Sequence, residues 1–273
     1  MKYIFAFCIT LSLSTIANTA HAETLTFGIV PQQSAKTLAR LWTPICNYLS
    51  EKTGYTIQFS TAKDIPTFER RLLKGEYDIA YMNPYHYTVF HEKPGYEAIA
   101  HQADKRIKGI VVVKKDSDIT SLQQLNNSQL AFPSPAAFAA SVLPRAKMKA
   151  DGIEFEPKYV SSHDSVYLNV SKGLFPAGGG VERTFNNTPP KVKETLRILW
   201  RTPGYTPHAI ASNPELNTDT LQKLKQALIG MNNDPEGQAL LKTIKFSQLK
   251  LANNEDWNDV RELNITLLDH LFK

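Results

Sequence analysis

The chain has 273 residues and a formal net charge of +5 at pH 7, which is enough for one large or two modest domains. Lysine and arginine are scattered and mixed with acids, as in Asp104-Lys105-Arg106, which disfavours a nucleic-acid interface and predicts a solvated surface. Of the two cysteines, Cys8 lies in a predicted leader. This leaves Cys46 without an intramolecular disulfide partner and predicts a buried structural thiol.

The first 22 residues have the pattern of a cleaved secretory signal peptide. Lys2 gives a short positive start, residues 4–16 are apolar, and Ala20-His21-Ala22 fits a cleavage site before Glu23. Loss of Lys2 with the leader lowers the formal charge to +4. The apolar run is shorter than the roughly 20 residues that cross a bilayer, so a membrane anchor is the weaker alternative. The pattern predicts a soluble, monomeric mature chain in the periplasm.

In the first hundred residues of the mature chain, strand-like and helix-like patterns alternate. The predicted strands cover 24–30, 56–60, 78–82 and 97–103, and the predicted helices cover 35–51, 65–74 and a segment that starts at 83. Ser34 is a plausible N-cap of the first helix, and Gly54 lies just past its end. This order predicts a mostly parallel sheet covered by helices.

The alternation restarts after residue 108. Strands are predicted over 109–114, 130–132, 156–161, 175–178 and 196–202, and helices over 121–125, 136–150 and 163–172. The C-terminal part is predicted to be helical, including an apolar face from Trp257 to Leu271. The restarts indicate an α/β protein of two lobes: 23–107 with 206–273, and 108–205. The chain would cross between them near Lys108 and return near 203–207.

Three junctions between 130 and 182 indicate an anion site. At each, a short strand-like run stops at small or polar residues and a helical pattern begins, as at Ser134, Ser162 and Gly178-Gly179-Gly180. Helix N-termini present unpaired N–H groups and a positive dipole end, so they bind anions without a charged side chain. For Ser134, helix capping and ligand binding are equally plausible. For the glycines, a tight strand-to-helix turn and close approach to a ligand are both possible.

His163-Asp164-Ser165 allows three interpretations. A catalytic triad is disfavoured, because its members come from separate elements and converge. Ser162 or His163 could cap a helix while Asp164 complements its dipole. Alternatively, His163 could donate a hydrogen bond to a ligand oxygen from the end of a strand.

Two further clusters are weaker candidates. His86 and His91 are five residues apart and do not share a helix face, so a metal site with them and His101 is disfavoured. Tyr81, Asn83 and Tyr85 follow a strand, and one of these side chains could face a cleft.

Several short motifs resemble those of the periplasmic binding proteins of phosphate, phosphite and phosphonate ABC importers. These are Phe27-Gly28-Ile29-Val30-Pro31, Gly75-Glu76-Tyr77-Asp78-Ile79-Ala80, and His163-Asp164 with its spacing to Glu182. The resemblance covers nearly all of the mature chain. It implies a type II periplasmic binding fold: two lobes, each a mixed sheet flanked by helices, a two-stranded hinge, and a ligand in the cleft.

The same resemblance implies roles for single residues. The family's cleft histidine matches His163, and the acid that meets a ligand amino group matches Glu182 if one gap is allowed. The hydroxyl run that holds phosphonate oxygens falls on Ala137-Phe138-Ala139, which lacks hydroxyls. A second acid falls on or near His208, so an aminoalkylphosphonate is a less favoured ligand than a small oxyanion.

The sequence therefore predicts a periplasmic protein that captures a small phosphate- or phosphonate-like oxyanion and delivers it to an ABC transporter permease. One alternative is a sensor subunit that docks on a membrane receptor, and a disfavoured one is a secreted enzyme. No cofactor, metal or catalytic residue is predicted. The candidate ligand-binding residues are Gln32, Tyr81, Asn83, Tyr85, Ser134, Ala136, Ala137, Phe138, His163, Asp164, Gly179 and Glu182.

Overall fold

A computed structural model describes residues 23–272. The predicted signal peptide, residues 1–22, lies outside the described residues. The strands, in chain order, are β1 (Thr24–Ile29), β2 (Thr56–Ser60), β3 (Ile79–Met82), β4 (Glu97–Gln102), β5 (Gly109–Lys114), β6 (Ser128–Phe132), β7 (Phe155–Tyr159), β8 (Ala177–Val181), β9 (Leu196–Arg201), β10 (Ala209–Ser212) and β11 (Leu249–Leu251).

The helices cover the faces of these strands. The α-helices are α1 (Ala35–Thr53), α2 (Ile65–Leu73), α3 (Pro84–Glu92), α4 (Leu143–Ala150), α5 (His163–Ser171), α6 (Glu182–Asn186), α7 (Pro190–Lys193), α8 (Thr218–Gly230), α9 (Pro235–Thr243) and α10 (Asn258–Arg261). A π-helix (Phe138–Val142) precedes α4, and 3-10 turns lie at Leu122–Leu125, Asn254–Trp257 and Asp269–Phe272. Among the described helices, none combines the length and apolar character needed to cross a bilayer.

The strands form two mixed sheets. The first has the order β11-β4-β10-β3-β1-β2, with β1 parallel to β2 and β3, and β10 antiparallel to β3 and β4. The second has the order β7-β6-β8-β5-β9, with β6 parallel to β7 and β8, and β5 antiparallel to β8 and β9. We call each sheet with its helices a lobe, the first and the second. These sheets confirm the predicted α/β class.

Two neighbouring chain crossings join the lobes. The chain leaves the first lobe after β4 and enters the second at β5, and it returns between β9 and β10. The crossings pair with each other, because the Ile107 and Tyr205 backbones exchange two N–H···O bonds of 2.8 and 3.0 Å. The connection is therefore a short two-stranded ribbon.

Several local predictions are confirmed. Ser34 caps α1, where its Oγ accepts from the Thr37 N–H at 3.3 Å, and Gly54 ends the helix in the left-handed conformation at φ 79°. Cys46 is buried in the core of the first lobe, and this burial raises the pKa of its thiol to about 12. Such a thiol is inert packing rather than a reactive group.

Other local predictions are wrong. The three consecutive glycines do not form a turn, because residues 178–180 lie inside β8. The predicted C-terminal helix face from Trp257 is broken, since α10 ends at Arg261 and a 3-10 turn begins at Asp269. Strands β10 and β11 occupy a region predicted to be helical or connecting. The predicted helix from residue 136 begins instead as the π-helix at Phe138.

The π-helix rests directly on the second sheet. A Cβ atom at Gly109 of β5 would lie 1.9 Å from the Ala139 carbonyl oxygen, and one at Gly179 of β8 would lie 1.9 Å from the Ala140 carbonyl oxygen. Glycine is therefore required at both strand positions for this close approach. The contact fixes the N-terminus of the π-helix at the boundary between the lobes.

Candidate functional site

A small cavity lies between the lobes, beside the chain crossings. Its volume is about 10 Å³, about the room that one water molecule needs. It is lined from the first lobe by Val30, Gln32, Ile65, Asn83 and His208, from the crossing by Ile107, and from the second lobe by Ala137, Phe138, Ala139, Ala140, His163 and Val181.

Two buried imidazoles, His163 and His208, line this cavity, and His163 has 1% of its surface exposed. It is the first residue of α5, where the preceding Ser162 acts as N-cap and accepts from the Ser165 N–H at 3.1 Å. Its Nδ1 lies 2.9 Å from the Thr184 hydroxyl. Its Nε2 is buried and meets no hydrogen-bond partner within residues 23–272.

Thr184 and Tyr167 determine what His163 offers to the cavity. The Thr184 hydroxyl lies 2.9 Å from the Val181 carbonyl oxygen and 2.8 Å from the Tyr167 hydroxyl, so it belongs to a chain of rotatable hydroxyl groups. If Thr184 donates to the imidazole Nδ1, the Nε2 atom carries the proton and is a donor. If Thr184 donates to Val181 instead, Nε2 is an acceptor. The hydroxyl chain thus allows His163 to present an N–H to an anion.

The cavity disfavours a charged imidazole. Burial, with a smaller contribution from the nearby Arg183 charge, lowers the pKa of His163 from 6.5 to about 3. The neutral ring is therefore the stable form at neutral pH. As a hydrogen-bond donor, it would stabilise an anion without carrying a formal charge.

Backbone donors complete this side of the cavity. The first N–H groups of the π-helix, at Phe138, Ala139 and Ala140, belong to the turn that has no intrahelical acceptors. These residues line the cavity together with Ala137. Because Ala137, Ala139 and Ala140 have small side chains, an anion can approach these N–H groups closely.

Hydrogen bonds across the cleft hold the lobes together. The His163 N–H donates to the Gln32 carbonyl at 2.8 Å, and the Ser34 N–H donates to the Asp164 carboxylate at 2.8 Å. The Asn83 amide donates more weakly to the Ala136 carbonyl at 3.4 Å. Burial raises the pKa of Asp164, and the bond from Ser34 opposes this shift. The structure is therefore a closed arrangement of the two lobes.

A chain of polar side chains borders the cavity, and we call Arg183, Gln32 and His208 the latch. Arg183 Nη2 donates to Gln32 Oε1 at 2.9 Å, so the Gln32 Nε2, 2.6 Å from His208 Nε2, acts as the donor to that ring. His208 stacks on Tyr81 with ring centroids 4.9 Å apart. Burial, followed by Arg183, lowers the pKa of His208 well below its usual value, which suits its role as an acceptor.

The structure brings part of the predicted site together. Gln32, Asn83, Ala137, Phe138 and His163 line the cavity. Two further candidates lie at its border, since Asp164 and Ala136 accept the interlobe hydrogen bonds described above.

The remaining candidates lie elsewhere. The Tyr85 hydroxyl accepts from the Leu268 N–H at 2.9 Å in the first-lobe core, and Gly179 packs under the π-helix. Glu182 accepts from Arg201 Nε at 3.0 Å at the border of a neighbouring pocket, which Tyr81 also lines. Ser134 is buried, and its hydroxyl has no partner in the described part of the chain.

The structure separates the side chains of the two disfavoured interpretations, the histidine metal site and the catalytic triad. His86 lies 2.9 Å from Glu69, His101 lies 3.2 Å from Asp256, and His91 bonds the Tyr96 carbonyl, so the three rings are paired separately. Across residues 23–272, no group of three or more metal-ligating side chains converges. Ser165 pairs with Ser162 rather than with His163.

Sequence reasoning missed two residues of the latch as site residues. Arg183 follows Glu182 on the short α6, where adjacent side chains point in different directions. His208 was identified only as the position of an absent acid. One feature of the sequence could have identified both residues: each follows the end of a strand or crossing and lies next to a position already considered for the site.

Comparison with known proteins identifies the family. Residues 27–257 match the family model for the periplasmic substrate-binding protein of phosphonate ABC transporters. The phosphate-import protein PhnD of Mycolicibacterium smegmatis is 20% identical over 235 residues, which cover 74% of this chain and 70% of the relative.

Solved structures show the same fold. A binding protein component of an ABC phosphonate transporter from Pseudomonas aeruginosa superposes with a TM-score of 0.83 at 17% identity, covering 89% of this chain and 86% of that one. PhnD1 from Prochlorococcus marinus in complex with methylphosphonate superposes with a TM-score of 0.81 at 18% identity, covering 89% of this chain and 97% of that one. These likenesses confirm the predicted two-lobed type II periplasmic binding fold. The chain belongs to the family of periplasmic substrate-binding proteins of phosphonate ABC transporters.

Proposed function

We propose that this chain binds a phosphate- or phosphonate-like oxyanion between its lobes and delivers it to the permease of an ABC importer. The observation that carries this proposal is the juxtaposition of a buried, unpartnered His163 Nε2 with the N-terminus of the π-helix within the described chain. Both groups line the same small cavity, and no carboxylate of the described chain lines it.

We propose that different donors bind different oxygens of the anion. The Nε2–H of His163 would meet one oxygen, and the N–H groups of Phe138, Ala139 and Ala140 would meet the others. A hydrogen bond to a charged acceptor contributes roughly 1.5–3 kcal/mol. In place of the hydroxyl run stand Ala137, Phe138 and Ala139, so backbone donors and the histidine carry most of the recognition.

Admission of the ligand requires the lobes to separate. A cavity of about 10 Å³ is smaller than a phosphate group, and the cleft has to widen for the anion to enter. We take 23–107 with 206–273 as one moving body and 108–205 as the other, with the paired crossing at Ile107 and Tyr205 as the hinge. Hinge closure of this kind is a standard response of two-domain proteins to ligand.

The setting follows from the family and the N-terminal pattern. We propose that residues 1–22 are removed as a signal peptide, that the mature protein is a monomer in the periplasm, and that its closed form docks on the permease.

Calorimetric titration of residues 23–273 with phosphate, methylphosphonate and 2-aminoethylphosphonate tests the proposal. We expect phosphate or methylphosphonate to bind more tightly than the amino compound, because His163 and His208 line the cavity, no acid does, and Arg183 lies beside it. Absence of binding by all three would contradict the proposed ligand class. Tightest binding of 2-aminoethylphosphonate would contradict the account of the donors.

A further inference from the structure

A second, larger pocket adjoins the cavity. Its volume is about 290 Å³, and it shares Ile107, Val181 and His208 with the cavity. It opens beside the chain crossings and is also lined by Tyr81, Gln102, Lys105, Arg106, Lys108, Glu182, Arg183, Asn186, Pro207 and Lys245.

The charge on this pocket is strongly positive. Lys105, Lys108, Lys245 and Arg183 each lack a carboxylate within 4.0 Å among residues 23–272. The acid of the lining, Glu182, is engaged by Arg201 at 3.0 Å. Uncompensated cations on one concave surface raise the local concentration of anions.

The remaining cation of the lining, Arg106, has its own partner. Its Nη2 lies 2.6 Å from the Asp259 carboxylate, which reduces its contribution to the positive field.

The latch separates this pocket from the cavity. Gln32 lines the cavity, Arg183 lines the pocket, and the 2.9 Å hydrogen bond joins them, while His208 lines both spaces. Opening the latch would therefore connect the two spaces. A carboxylate that enters from the cavity side can replace Gln32 Oε1 as the acceptor of Arg183, with two oxygens instead of one.

We infer that the ligand of this protein carries a second anionic group, a carboxylate on the organic part, which occupies the basic pocket while the phosphoryl group occupies the cavity. This inference rests on the proposed function. The shared chemistry is a phosphoryl group and a carboxylate on one small molecule, as found in a phosphonocarboxylate or in a phosphate ester of a hydroxy acid.

The decisive comparison uses ligands of matched size. Calorimetry compares 3-phosphonopropionate with propylphosphonate. The two ligands differ only at one end, where the first has a carboxylate and the second has a methyl group. We expect the carboxylate to increase affinity by about tenfold or more, as a charge-assisted bond to Arg183 does. 2-Aminoethylphosphonate should bind more weakly than propylphosphonate. The advantage of the carboxylate should shrink at high salt, since exposed lysines contribute to it.

Variants assign the effect to the pocket. The ratio of the two dissociation constants should fall by about tenfold in Arg183→Met and by about threefold in Lys245→Gln. Lys242→Gln removes an exposed lysine outside the pocket and should leave the ratio unchanged. Use of a ratio cancels general effects of a variant on folding or closure.

The outcomes separate the two proposals. Binding of methylphosphonate without any preference for the carboxylate overturns this inference and leaves the proposed function intact. Failure of all phosphonates and of phosphate overturns both. Phosphoglycolate, which has an oxygen in place of one methylene of 3-phosphonopropionate, distinguishes the sources: the tighter binder of the two identifies an ester or a phosphonate as the natural class.

Discussion

At the residue scale, His163 combines burial with an unmet hydrogen bond. The ring is 1% exposed, and Thr184 engages one nitrogen while the other faces the cavity without a partner in the described chain. A buried polar atom without a partner costs roughly 1–3 kcal/mol. An anion bound here, as proposed, would remove that cost, and this atom would then couple ligand binding to closure.

Replacement of His163 should weaken anion binding. His163→Ala removes the Nε2 donor, and we expect the dissociation constant for methylphosphonate to rise by about tenfold or more in calorimetry. Since the ring is buried against Thr184, the melting temperature should also fall. His270→Ala, at an exposed histidine near the C-terminus, should change neither quantity. Unchanged affinity in His163→Ala would remove this residue from the site.

The same histidine predicts a pH dependence of stability. Its pKa is about 3 in the folded protein and 6.5 as the ordinary value, so the unfolded chain binds more protons below pH 6.5. The contribution of this ring to the free energy of unfolding is therefore fully present above pH 6.5, and it is lost as the pH falls towards 3. At pH 5 the expected loss is about 2 kcal/mol. Urea unfolding at pH 7 and 5 should show a smaller loss in His163→Gln than in the wild type.

The control for this experiment is His270→Gln, which should keep the wild-type difference between the two pH values. Some dependence should persist in His163→Gln, because burial of His208 acts in the same direction. Identical pH dependence in the wild type and His163→Gln would contradict the neutral, buried state of the ring.

At the element scale, the contact between the π-helix and the second sheet is the most demanding feature. Gly179→Ala would place a methyl group 1.9 Å from the Ala140 carbonyl oxygen. The clash is with backbone, and no flexible side chain can move to relieve it. We therefore expect the free energy of unfolding, measured in urea, to fall by about 3 kcal/mol. Gly230→Ala, at the end of α8 with open space around it, should be neutral or slightly stabilising. Equal effects of the two variants would contradict this packing.

The elements that the sequence could predict are those with a clear period or cap. Helix α1 has an apolar face, a Ser34 cap and Gly54 at its end, and all three signals agree with the structure. Strand β10 has four residues, Ala209-Ile210-Ala211-Ser212, all buried. So short an apolar run has no period that identifies it as a strand. Its neighbours β3 and β4 determine its conformation.

The candidate site was predictable in part for a similar reason. His163 and the π-helix lie at junctions where a strand pattern gives way to a helix pattern, and such junctions are visible in a sequence. Arg183 enters the site because α6 directs it to Gln32 while Glu182 meets Arg201. That choice depends on side-chain direction across the cleft, which a single sequence does not encode in any local pattern.

At the scale of the whole molecule, the lobes meet through hydrogen bonds and through apolar residues of the π-helix, which belong to the same core cluster as the first lobe. The hydrogen bonds from His163 to Gln32 and from Ser34 to Asp164 each contribute about 1 kcal/mol. We propose that the open and closed arrangements are nevertheless close in free energy, because the two lobes are joined only by a short ribbon. A small gain from ligand is then enough to shift the population.

Small-angle X-ray scattering tests this balance. With saturating phosphate or methylphosphonate, we expect a smaller radius of gyration than in buffer, because ligand favours the closed lobes. Asp164→Asn weakens one interlobe bond and should raise the ligand concentration needed for the change. A scattering curve that is unchanged at saturation would contradict the hinge.

The glycines beneath the π-helix also have an evolutionary consequence. Because Gly109 and Gly179 allow the backbone of residues 139 and 140 to pack directly on the sheet, the N–H groups that we propose as anion donors cannot shift without loss of this contact. The side chains around them are not fixed by this contact, but Gln32, Arg183 and His208 are hydrogen-bonded in one chain and would have to change together. If the proposed site is correct, descendants of this chain would diverge in the organic part of their ligands and keep the same backbone donors for the oxyanion.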